Sequence, residues 1–182
     1  VIGAMRYGNP SLKYVLEGFK NTSVKEITLM PLFPQYASST TGSVRHLADQ
    51  FLKTNGSIDK LRFIDQFYSH PAFISSFAER IKGYHPEAFD HILFSYHGLP
   101  VRHIQKVHPD HDHHNCKCIE SLPAYGSRCY RATCYETTRL LAEKLRLPSG
   151  SYSTSFQSRL TKKWLTRFTD QVIRDLAGKN KK

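Results

Sequence analysis

Apolar and polar positions follow two periods along this chain. Short apolar or alternating runs occur at VKEITLMPLF, KLRFIDQF, HILFSYH and SYSTSFQS, each four to eight core positions long, and they predict β-strands. Between them lie segments with three-and-four spacing, which predict helices around Ser43 to Lys53, in AFISSFAERIKGY, in YRATCYETTRLLAEKLR and in TRFTDQVIRDLAG. In the third of these, Ala132, Leu140, Leu141 and Leu145 can share one face. Ser69 and Pro71 open the helix before Lys82, because proline at a first helical turn forfeits no hydrogen bond. The opening VIGAMRYG reads as a buried strand running into the helix SLKYVLEGFK, with Asn9 and Pro10 at its N-cap and first turn. Strands separated by helices argue an α/β fold whose parallel sheets are covered on both faces. GYHPEAFD, at 83–90, reads as a linker between lobes.

Composition narrows the class. With 182 residues, 40% of them hydrophobic and 12% aromatic, the chain has enough apolar surface for a packed interior. No apolar run reaches the roughly 18 residues of a membrane span, and no signal-peptide pattern opens the chain. VIGAMRYG starts at full hydrophobicity with no initiator methionine, which reads as an internal piece of a longer protein. The formal charge of +11 fits either a solvated basic surface or an anionic partner: nucleic acid, lipid headgroups or a polycarboxylate substrate.

Candidate chemistry begins at His97. In open α/β sheets ligands sit beyond the C-terminal ends of strands, and HILFSYH ends there in a histidine followed by Gly98, Leu99 and Pro100. Glycine removes bulk beside the imidazole and proline stops the strand. A neutral imidazole at such a lip can take a proton or bind a metal; it can equally be a strand cap.

LFSYHGLPVR, PLFPQYASSTTGS, FQSR and MRYGNP occur across nearly the whole chain, and together they resemble the ferrochelatase family. The resemblance implies the chelatase fold, two Rossmann-like lobes with parallel sheets flanked by helices, here incomplete at both termini. Residues 1–68 are then the C-terminal part of the first lobe. Residues 69–182 are the N-terminal part of the second, with a Cys/His-rich insertion at 103–134. It implies insertion of ferrous iron into protoporphyrin IX or coproporphyrin III with loss of two protons, by a fragment expected to be inactive, and prone to aggregate, alone. His97 is then the active-site histidine, binding iron, accepting a pyrrole proton, or both. Tyr36 matches a tyrosine facing the porphyrin, and Arg6 an arginine on the side where metal arrives, or else a surface ion pair. Gln157 matches a family position read here as a structural hydrogen-bonder. Two features depart from the family. WLTRFTD lacks the usual proline, and no HxxE motif supplies the acidic partner of His97; HLAD at 46–49 is a surface-helix coincidence. The resemblance also places the protein in the cytoplasm, with peripheral contact at the inner face of the membrane left open.

Cys116, Cys118, Cys129 and Cys134 form C-x-C-x10-C-x4-C. Disulfides do not suit a reducing compartment. Four thiolates suit tetrahedral zinc or a [2Fe–2S] cluster, and the tight first pair favours the cluster. Some ferrochelatases carry such a cluster, so the resemblance points the same way, with zinc the alternative. In VHPDHDHHNC the histidines can ferry iron, assist zinc or solvate a loop, and the last is favoured. Two other functions compete: a four-cysteine metal-binding module gripping nucleic acid, and a chelatase for another metal and tetrapyrrole. The first explains charge and cysteines but lacks a basic helical stripe with interleaved aromatics, so no nucleic acid is expected.

Overall fold

The structure, a computed structural model, describes residues 1–20, 22–54, 58–108 and 115–182. The chain forms two compact units, Val1–Phe67 and Tyr68–Lys182. Among the described residues no helix is long and apolar enough to cross a membrane.

In the first unit, β1 (Glu26–Leu29) lies parallel to β2 (Lys60–Phe63), with Ile27 beside Leu61 and Leu29 beside Phe63. These four side chains are half-buried while Glu26, Thr28, Lys60 and Arg62 are exposed. The strands alternate, so this sheet is covered on one face only, and its open face carries an Arg62–Glu26 ion pair at 3.2 Å. That differs from the two-sided burial expected from the apolar content of the segment. The core joins Leu12 and Leu16 of α1 (Leu12–Gly18) to Val44 and Phe51 of α2 (Thr41–Lys53) and to Ile58.

The entry into α1 also differs from expectation. Ser11, not Asn9, is the N-cap: its hydroxyl accepts the Tyr14 amide at 3.1 Å. Among the described residues VIGAMRYG makes no strand; its ladder contact there is a single bridge, Met5 to Ser11. An apolar segment becomes a strand only where a neighbour takes its backbone groups.

In the second unit, β3 (Ile92–His97) runs parallel to β4 (Tyr152–Gln157), pairing Ile92 with Tyr152 and His97 with Gln157. Here helices lie on both faces, although Ser95 and His97 of β3 stay exposed. On one, α3 (Pro71–Lys82) and α5 (Tyr130–Leu145) bury Ile74, Ala78 and Leu141 against Phe94. On this side the Tyr96 hydroxyl meets Thr138 at 3.0 Å, and Thr154 donates to the same Thr138 at 3.0 Å. On the other, Thr169 at the start of α6 (Thr169–Gly178) reaches Ser95 at 2.9 Å and Ser155 at 2.8 Å. His70 rather than Ser69 caps α3, its Nδ1 accepting the Ala72 amide at 3.2 Å, with Pro71 in the first turn as expected. Residues 83–90 join α3 to β3 inside this unit, since α3 is packed on α5; the boundary between units falls near Phe67.

Candidate functional site

His97 is the last residue of β3, and its side chain is exposed. Period two along the strand sets it on the face of Ser95, toward the α6 side. Four hydrogen bonds to backbone groups hold the lip. The Tyr130 hydroxyl donates to the His97 carbonyl at 2.8 Å, and the Gly98 amide donates to the Gln157 carbonyl at 2.7 Å. Beyond them, residues 99–101 pair antiparallel with 163–165: Leu165 N–H to Leu99 O at 2.9 Å, and Val101 N–H to Lys163 O at 3.0 Å. This pairing lays Trp164 edge-on to the His97 imidazole, ring centres 6.3 Å apart. Burial pushes the Tyr130 phenol far above its ordinary range, aided by Cys134, so it stays a donor to the His97 carbonyl.

Gly98 is required by close approach. A Cβ there would lie 2.8 Å from the Gln157 carbonyl oxygen and 3.3 Å from Cε3 of Trp164. The first neighbour is backbone and cannot swing aside. Gly98→Ala is therefore expected to cost about 1–3 kcal/mol, the usual range for overpacking, and to shift the emission of this chain's single tryptophan. Unchanged denaturant midpoint and emission in the variant would contradict the packing described. Gln157 acts here through its backbone carbonyl, while its side chain is exposed.

Arg6 and Tyr36 belong to the first unit, where both meet the opening turn of α2. Arg6 Nε donates to the Ser43 carbonyl at 3.3 Å, and its guanidinium lies 4.6 Å from the Tyr7 ring centre. The Tyr36 hydroxyl closes over Gly42, where a Cβ would come within 3.1 Å of it. His46 and Asp49 of HLAD lie on α2 in the first unit, whereas His97 belongs to the second.

The cysteines correct the expectation of a cofactor. Among the described residues no group of three or more His, Cys, Asp or Glu side chains is arranged to hold a metal ion, and the four cysteines form no disulfide. Cys116, Cys118, Cys129 and Cys134 thus fit neither a [2Fe–2S] cluster nor zinc. The reason lies in α5. Cys129 caps it and Cys134 follows five residues later, about 140° further round the helix. Cys134 is fully buried, and its neighbour there is the Tyr130 hydroxyl. Burial pushes the thiols of Cys129 and Cys134 up, and that of Cys118 up to about 11, while at Cys116 hydrogen bonds with Cys118, Tyr125 and Arg131 outweigh burial and bring the thiol down. Most histidines of VHPDHDHHNC lie outside the described residues; His108 is buried, edge-on to Tyr125 with ring centres 5.3 Å apart.

Tyr130 and Trp164 were not among the residues singled out for chemistry. Trp164 had a signal, being the chain's one tryptophan a few residues after FQSR, whereas Tyr130 had none: only folding brings its hydroxyl to residue 97.

Comparison with known proteins bears on this site. The profile of the ferrochelatase family matches residues 1–182. The chain is 39% identical to the ferrochelatase of Pseudomonas putida strain F1 over 96% of its own length and 53% of that protein's. It is 38% identical to that of Pseudomonas entomophila (95% and 52%), and 40% identical to that of Legionella pneumophila strain Corby (96% and 52%). The chain spans about half the length of the curated relatives it matches.

Proposed function

The chain belongs to the ferrochelatase family, and from that premise we propose that it carries the histidine half of a site inserting ferrous iron into a porphyrin. Residues 1–68 and 69–182 then correspond to the adjoining parts of the two family lobes. The observation that carries this reading is His97 itself: an exposed imidazole at the C-terminal lip of a parallel strand, its backbone clamped by Tyr130 and Gln157, its ring set against Trp164.

The chemistry follows from the reaction's needs. A free-base porphyrin holds two pyrrole N–H protons, and both must leave as Fe²⁺, a substrate here, enters the ring. A flat macrocycle keeps its nitrogen lone pairs in its own plane. Binding a buckled ring exposes them and brings the substrate toward its transition state. An imidazole held still at the ring centre accepts a proton as metal–nitrogen bonds form. The clamped carbonyl of His97 supplies that stillness, since the imidazole keeps only its own side-chain torsions. Tyr36 offers an aromatic face with a polar tip for the macrocycle, and Arg6 a cation at the opening of α2. Placement in the cytoplasm, touching a membrane only at its periphery, belongs to the same proposal.

The test is direct. The full gene product encoding this chain, given ferrous iron and protoporphyrin IX or coproporphyrin III without oxygen, is expected to yield the metalloporphyrin spectrum with porphyrin fluorescence quenched. Persistence of the free-base spectrum with both porphyrins would refute the reading.

A further inference from the structure

Beside His97 lies a cleft of about 650 Å³ that the chemistry above does not use. Its size is that of a small-molecule site. Trp164, whose ring also faces His97, is one wall; Pro100 and the exposed Leu160 extend the apolar surface. Among the described residues the charged lining consists of Arg102, Lys162 and Lys163, with no acidic side chain. None of these three has an acidic partner among the described residues. The contrast with the same stretch of chain is informative: Arg159 is engaged by Asp170 at 3.0 Å, and Asp170 also pairs with Arg174 at 3.2 Å.

We infer that Arg102, Lys162 and Lys163 form a carboxylate-recognition subsite, which grips the acidic side chains of the tetrapyrrole while Trp164 and Leu160 pack on its apolar edge. This rests on the reading of the chain as a porphyrin-handling protein and names the residues that read the substrate's charge. Three features support it. The apolar wall and cationic rim match a flat ring bearing carboxylates at its periphery. Arginine's fork and lysine's point charge both bind carboxylates well. The antiparallel pairing of 99–101 with 163–165 fixes the backbone of Lys163 and the start of α4 (Val101–Gln105), so two of the cations are carried on a held frame. These residues determine which substrate is held, and leave proton transfer to His97.

Exposed ion pairs are each worth about two- to fivefold in affinity and are screened by salt. In the full gene product, Arg102→Gln/Lys162→Gln/Lys163→Gln is expected to weaken binding of a free-acid porphyrin roughly tenfold or more, read by fluorescence quenching, and to flatten its salt dependence. Binding of the corresponding porphyrin methyl ester, presented in neutral detergent, is expected to change less than about twofold. Circular dichroism and the denaturant midpoint check that the triple variant is folded, and the single Lys162→Gln variant gives a milder step of the same sign. Equal affinity and equal salt slope for wild type and triple variant overturn the assignment. So does a variant that loses only its binding to anionic phosphatidylglycerol vesicles, which would make the patch a membrane contact. Wild-type binding that depends on these cations but is followed by no metal insertion leaves the subsite standing and removes the chelatase reading. Failure of wild type to bind any porphyrin removes both.

Discussion

Replacing His97 by alanine in the full gene product is expected to lower kcat for iron insertion by about 10²- to 10⁴-fold, the range for loss of a positioned acid–base group, with porphyrin affinity nearly unchanged. The imidazole is exposed at the strand lip, so its removal opens no core cavity. The hydrogen bond that holds this position, from the Tyr130 hydroxyl, ends on the backbone carbonyl and survives truncation. The loss should therefore be one of chemistry and not of fold: the same thermal midpoint, the same fluorescence quenching on binding, a much slower single turnover. Added imidazole should restore part of the rate through the space vacated beside Trp164. A variant that turns over within about threefold of wild type, well short of the range for an acid–base group, would remove His97 from the reaction.

The second large effect concerns stability. Phe156 is 1% exposed, and its ring lies edge-on to Tyr135 at 6.2 Å and tilted against Tyr96 at 6.5 Å. Its backbone amide donates to the Arg167 carbonyl at 2.8 Å, tying β4 to the approach of α6. Phe156→Ala is expected to cost about 3–5 kcal/mol, from lost transfer energy plus the cavity left behind. A domain has only about 5–15 kcal/mol in total, so the second unit should melt roughly 10–20 °C lower. The damage should spread to the site, because the next residue, Gln157, holds Gly98. Phe156→Leu, which keeps most of the volume, should lose much less. A denaturant series giving under about 1 kcal/mol for the alanine variant would show that this ring is not the keystone described.

Much of this architecture could be read from residue order, because its signals are local. Alternation in HILFSYH and SYSTSFQS marks β3 and β4; three-and-four spacing marks α5 and α6 to within a few residues. Proline at 71 marks the start of α3. His97 stood out because apolar alternation stops there, at a glycine. The failures share a cause. VIGAMRYG has strand composition, but a strand also needs a partner, and among the described residues Met5 bridges only to Ser11. The cysteine spacing suggested a ligand set because distance along a chain carries no angle; the turn of α5 sends Cys134 into the core beside Tyr130.

The order of residues alone determined the α/β class, the kinship with ferrochelatases and the histidine at the strand lip, since periodicity and motifs are properties of one dimension. Folding alone decided that a hydroxyl at 130 would steady residue 97, and that a lysine pair at 162 and 163 would face an arginine some sixty positions earlier across one cleft. Those meetings depend on which backbone groups pair across the sheet end, and hydrogen bonds between distant segments leave no mark in local pattern.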